Sequence, residues 1–127
     1  MIDHVSVKTS NQDASRRFFE KALAPLGYEV LMEFEDGQVV GMGVGRKPDF
    51  WFSSGEASSP VHVAFSAPDR ATVDAFYAAA LAAGGKDNGA PGLRPEYHPG
   101  YYGAFVYDPD GNNVEAVFHD PSEMKKS

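Results

Sequence analysis

Asp3-His4-Val5-Ser6-Val7 returns 58 residues further on as Val61-His62-Val63-Ala64-Phe65. The same displacement lays Phe18 on Phe76, Ala22 on Ala80, Leu23 on Leu81 and Gly27 on Gly85. A match sustained over this span marks two related supersecondary units, packed about an approximate twofold axis. Each unit opens on a histidine, and the axis would carry His4 and His62 to equivalent places. Glu115 stands near the end of the second copy. Two imidazoles and one carboxylate form a donor set for a divalent metal.

Working outward, Ile2 to Lys8 alternates and is rich in β-branched residues, so it reads as a short strand. Asn11 or Asp13 can cap the helix that follows, because a side-chain oxygen there accepts from otherwise unpaired backbone N–H groups. Phe18, Phe19, Ala22, Leu23 and Leu26 recur at helical spacing, and Gly27 ends the run. Three short strands then read from Tyr28 to Phe34, Gln38 to Val44 and Asp49 to Ser53. Asp36-Gly37 between the first two is a hairpin signal.

Residues 54–59 are small and polar, a linker. Val61 to Ser66 is again a strand, and Pro68-Asp69 opens a helix that carries Val73, Phe76, Tyr77, Ala80 and Leu81, ended by Gly84-Gly85. Lys86 to Gly100 is broken by Gly and Pro and reads as a strand interrupted by a mobile loop. Tyr101 to Tyr107 and Asn113 to His119 are strands around a tight turn at Asp108-Pro109-Asp110-Gly111. The tail, 120–127, is polar and expected to fray. Both copies, 1–53 and 60–119, thus read strand–helix–strand–strand–strand, and together they make one α+β domain.

Side chains on a strand alternate between faces. Val5 and Val7, then Val63 and Phe65, then Val114, Ala116 and Phe118, would pack beneath the helices. His4, His62 and Glu115 each fall on the opposite, helix-free face. A lone strand histidine is more often a hydrogen-bonded structural residue than a ligand. Three parity checks that agree favour the ligand reading.

Composition narrows the function. At 127 residues the chain suits one domain with a real core, and its 43% hydrophobic content is that of a globular protein. A formal charge of −7 and scattered Lys and Arg exclude a nucleic-acid footprint. No apolar run reaches membrane-spanning length. There is no signal-peptide pattern and no Cys, which suits a cytoplasmic protein that handles small molecules.

The opening Asp3-His4-Val5, the Val61-His62-Val63-Ala64-Phe65 repeat and Asp108-Pro109-Asp110-Gly111-Asn112-Asn113-Val114-Glu115 resemble the vicinal oxygen chelate superfamily. That group includes glyoxalase I, extradiol dioxygenases, fosfomycin-resistance transferases, methylmalonyl-CoA epimerase and bleomycin-resistance binders. The resemblance implies two tandem βαβββ modules, with the sheet curled around a central cavity. It also implies a homodimer and one divalent metal ion (Fe, Mn, Ni, Zn or Co) held by His4, His62 and Glu115. Open positions on the metal would take two neighbouring oxygens of a small-molecule substrate.

Departures from the subfamilies sharpen the reading. Glyoxalase I adds a fourth, carboxylate ligand, and aligning Phe50-Trp51-Phe52 with Val114-Glu115-Ala116 puts Trp51 there. Authentic glyoxalase I activity is therefore not expected. Extradiol dioxygenases need a nearby acid–base His and Tyr, for which His98, Tyr101 and Tyr102 are the candidates, on a segment that could act as a lid. A phosphonate pocket would need cations, for which Arg94 and Lys86 are available. His119 shares parity with Glu115 and lies further along the strand, so it reads as peripheral. The competing class is a non-catalytic small-molecule binder of the bleomycin-resistance type, with Trp51, Phe50, Phe52 and the tyrosines around Tyr97 to Tyr102 lining a groove.

Overall fold

The computed structural model describes residues 1–56 and 59–124. Eight strands form two four-stranded mixed sheets, one per module. The first contains β1 (Val5–Thr9), β2 (Glu29–Phe34), β3 (Val39–Gly43) and β4 (Phe50–Ser54), in the order β1-β4-β3-β2. The second contains β5 (His62–Ser66), β6 (Lys86–Leu93), β7 (Tyr101–Tyr107) and β8 (Asn113–His119), in the order β5-β8-β7-β6. The chain therefore has the expected tandem βαβββ architecture. Among the described residues β1 and β5 are edge strands, each bonded in parallel only to the last strand of its own module.

The helices begin where side chains can satisfy their free N–H groups. Asn11 Oδ1 accepts from the Ala14 N–H at 3.1 Å and starts α1 (Gln12–Ala22). Asp69 Oδ1 accepts from the Thr72 N–H at 2.8 Å and starts α2 (Arg70–Ala82). Leu26 is not in α1. Pro25 cannot continue an α-helix, so Ala24–Leu26 tightens into a 3₁₀ turn closed by Gly27 at φ 84°.

One core joins both modules. Phe18, Phe19 and Ala22 of α1, Leu23 just after it, and Val73, Phe76 and Ala80 of α2 pack with Val40, Met42, Phe50 and Phe52 of the first sheet. Phe65, Ala104, Val106, Val114 and Ala116 come from the second. Phe19 sits edge-on to Phe50 at 4.9 Å between ring centres, the favoured geometry for aromatic pairs. Each sheet thus spends one face on the shared core, as the alternation requires, and leaves its other face free of helices.

Four expectations need correction. The first strand begins at Val5 rather than Ile2, because its partner β4 begins at Phe50; the ladder opens with the Val5 N–H on the Asp49 carbonyl at 3.0 Å. His4 consequently precedes the strand. The segment from Lys86 is an eight-residue strand, not a short one broken by a loop. Its register shifts around Gly89 absorb the glycines as bulges, and Pro91 is tolerated because β6 is an edge strand. Beyond it, 94–100 is a closed turn, with the Arg94 N–H on the Tyr101 carbonyl at 2.7 Å and the Tyr101 N–H on the His98 carbonyl at 3.2 Å.

The linker and tail differ too. Ser54 belongs to β4, and Ala57 and Ser58 of the linker lie outside the described residues. In the tail, Pro121–Met124 forms a single turn, α3, after Asp120 accepts from Arg70 at 2.7 and 2.9 Å; 125–127 lie outside the described residues.

Candidate functional site

On the helix-free face of the second sheet, parallel pairing sets His62 opposite Asn113 and Ala64 opposite Glu115. His62 and Glu115 are thus diagonal neighbours, and His62 Nε2 lies 2.7 Å from Glu115 Oε1. On the other side, the Tyr101 hydroxyl donates to Glu115 Oε2. Glu115 is wholly buried, at 0% exposure. A buried carboxylate requires compensation for its lost hydration. Here it comes from one imidazole and one phenol, and no Lys or Arg pairs with it among the described residues.

Burial, and then the hydrogen bond to Glu115, push the Tyr101 phenol far above its ordinary range. Tyr101 is therefore a fixed proton donor to the carboxylate. Gly103 makes this contact possible: a Cβ there would stand 3.2 Å from the Tyr101 ring and 3.4 Å from Glu115 Oε2. Phe105, directly opposite Glu115 in the β7–β8 ladder, lies beneath both His62 (6.3 Å between ring centres) and the Arg94 guanidinium (5.4 Å).

At the far end of β8, His119 stacks on His98 with ring centres 5.0 Å apart, and His98 Nε2 lies 2.9 Å from His119 Nδ1. His98 Nδ1 faces the Pro99 carbonyl at 2.7 Å, so Nδ1 carries the proton. In the neutral ring Nε2 then accepts, and His119 Nδ1–H donates. Both rings meet the Tyr101 ring edge-on, at 5.3 and 5.4 Å. His119 is therefore a neighbour of Tyr101 at the end of β8 away from Glu115.

Tyr102 stands apart. Alternation turns it to the helix side of β7, where its hydroxyl donates to Asp74 at 2.7 Å and Arg70 covers its ring at 4.9 Å. His4 stands apart from Glu115 as well. It is exposed, with Nδ1 2.7 Å from Asp3 Oδ1, and Asp3 is tied in turn to Lys47. The Lys47 and His4 contacts hold the Asp3 carboxyl below its usual range. His4 and His62 both line a cleft of about 600 Å³ with Tyr28, Asp49, Phe50 and Phe65. Among the described residues, however, no three His, Asp or Glu side chains converge as a metal-binding group.

Trp51 is on the helix-free face of the first sheet. It pairs with Ser6 as Glu115 pairs with Ala64, so it holds in its module the register position of Glu115. Its ring stacks on Phe34, at 6.2 Å and 10° between planes. It lies flat over Gly41, where a Cβ would come within 2.8 Å of the indole.

The first 116 residues match the model of the Glyoxalase/Bleomycin resistance protein/Dioxygenase superfamily. The chain belongs to that superfamily. A glyoxalase/bleomycin resistance protein from Albidiferax ferrireducens is 26% identical, with 91% of this chain and 95% of that one covered at a TM-score of 0.72. A glyoxalase/bleomycin resistance protein/dioxygenase family enzyme from Burkholderia phytofirmans is 20% identical, covering 93% and 98% at 0.71. Lactoylglutathione lyase from Agrobacterium tumefaciens is 22% identical, covering 93% and 92% at 0.68. The last two likenesses concern the fold alone. No curated protein matches the chain.

The donor set can be tested against the divalent metal common in this superfamily. A buried carboxylate with an imidazole nitrogen 2.7 Å away fits two ligands of one ion, since cis ligands at about 2.1 Å stand about 3 Å apart. His62 and Glu115 fit; within one chain, His4 does not complete the set. Sequence reasoning missed Gly103 and Phe105. The alternation that includes Tyr101 points to both, and glycine within a strand marks close approach.

Proposed function

We propose that the protein is a divalent-metal-dependent enzyme of the vicinal oxygen chelate type, acting on a small molecule with adjacent oxygen groups. The observation that carries this reading is the buried Glu115 carboxylate, faced by His62 and Tyr101 and paired with no Lys or Arg among the described residues. His62 and Glu115 would be two ligands and His4 the third. When bound, the metal supplies Lewis acidity to two neighbouring substrate oxygens. Tyr101 would fix the orientation of the Glu115 carboxylate, and His98 and His119, packed against the Tyr101 ring, would be the nearest histidines able to exchange protons with a substrate on that side.

The third ligand, in this reading, comes from a second copy of the chain. His4 sits on the first module and Glu115 on the second. The helix-free face of the first sheet, which carries Trp51, exposes Met32 and Phe34. An isologous dimer that lays the first module of one copy over the second module of the other would cover these groups and bring His4 to Glu115.

Mixing His4→Ala with Glu115→Ala protein tests this directly. Each variant alone lacks every site. Random exchange into mixed dimers should restore about a quarter of wild-type metal content, because half the dimers carry one intact site of two. No recovery on mixing, with exchange demonstrated, would refute a shared site. Absence of metal in the wild type would refute the enzyme reading. It would leave a small-molecule binder of the bleomycin-resistance type, which the stacked Trp51–Phe34 pair favours.

A further inference from the structure

Arg94 is built into the face that carries Glu115 and His62. The chain has 18 acidic and 11 basic residues, yet no carboxylate pairs with this half-buried guanidinium among the described residues. Its position is set from four sides. Its Nη2–H donates to the Ala90 carbonyl at 2.6 Å. Its plane lies over the Phe105 ring, 5.4 Å from the centre. Gly89 and Gly92 leave the space it occupies: a Cβ at Gly89 would stand 3.2 Å from Nη2, and one at Gly92 3.0 Å from Nη1.

A guanidinium has five N–H groups, and among the described residues one is used here. The ring beneath it also underlies His62 and stands directly opposite Glu115 in the ladder. A side chain whose only task was to cover Phe105 would not need two glycines to clear its head group. Four free donors on a fixed, planar cation form a receptor for a two-oxygen anion.

We propose that Arg94 anchors a carboxylate on the ligand, so that the small molecule handled at His62 and Glu115 is an organic acid. The link to those ligands rests on the function proposed above; the anion site itself does not. The carboxylate docks on the Arg94 edge, and the body of the molecule crosses Phe105 towards Glu115. Arg94 is thereby a specificity residue, not one that takes part in the chemistry.

The experiment is a titration of benzoate against its neutral isostere benzamide, followed by protein-observed NMR, before and after chelator treatment. Wild-type protein should prefer benzoate by about tenfold, the usual advantage of a charge-assisted, two-point contact. Arg94→Met keeps an apolar stem over Phe105 and should abolish the preference, while Arg94→Lys should retain part of it. Equal binding of the two probes by the wild type, or an undiminished preference in Arg94→Met, would overturn the proposal. If Arg94→Met fails to fold, Gly92→Val takes its place: it displaces the guanidinium and should remove the preference, and its retention would overturn the proposal too. Metal content is measured on the same samples. A benzoate preference without bound metal would sink the metalloenzyme reading and leave this inference standing; bound metal without the preference would do the reverse.

Discussion

The two modules share a frame and differ on one face. Facing the core, Phe50 and Phe52 answer to Val114 and Ala116, and Met42 and Val40 to Val106 and Ala104, all buried. Facing away from it, Trp51 stands where the second module has Glu115, and Gly41 where it has Phe105. The first module therefore offers a flat aromatic platform, and the second a buried carboxylate with His62, Tyr101 and Arg94 around it. A shared core requires the inner faces only to be apolar and well filled. The outer faces are under no such demand, and there the two copies have become different surfaces.

Changes at the outer faces should confirm or break that contrast. Glu115→Ala should abolish metal retention while the fold survives; metal analysis beside circular dichroism checks it, and full occupancy would remove Glu115 from the ligand set. In the first module, Trp51→Glu should make the two outer faces alike and tighten metal binding by about tenfold, since an added carboxylate raises the ligand charge. Unchanged affinity in a competition assay would mean that Trp51 does not border the site.

The paired glycines offer a second break. Gly85 has no room: a Cβ would meet Val106 at 2.4 Å, Phe18 at 2.6 Å and the Ala80 carbonyl at 2.8 Å. Gly85→Ala should cost about 3 kcal/mol in urea unfolding. Its counterpart Gly27 has room, with Val44 no nearer than 3.7 Å, but sits at φ +84°. Gly27→Ala should cost only about 1 kcal/mol. Equal costs would show that the two positions are constrained alike.

The smallest effect concerns the tyrosines. Tyr28 and Tyr101 are both held above the free value of 10.0, by burial first and by Asp49 and Glu115 second. Their raised values contribute stability that is complete below pH 10 and erodes as the pH climbs from there towards the folded values. Tyr101→Phe should flatten this alkaline loss, read from thermal melts above pH 10; an unaltered slope would assign the loss to other groups.

Much of the fold and part of the site are legible in the residues alone. The displacement that pairs His4 with His62 also pairs the helices and their terminal glycines, and strand parity puts His62 and Glu115 on the helix-free face. The same parity separates Tyr101 from Tyr102, so grouping the two tyrosines neglects a signal that the alternation carries. Pro and Gly in Lys86–Leu93 suggest a loop, because their usual penalties assume a central strand. At an edge, bulged around Gly89, those penalties largely vanish.

By itself the sequence determined the two βαβββ units, their helix caps and the faces of their strands. These follow from periods of 2 and 3.6 residues, which are local properties of the backbone. Only the tertiary structure decided that Glu115 is buried between His62 and Tyr101, that Arg94 is seated over Phe105, and that His4 shares a cleft with His62 without completing a metal-binding group among the described residues. Parity says which way a side chain points but not what it meets. That depends on how two separately bonded sheets pack around one core, an outcome summed over contacts far apart in the chain.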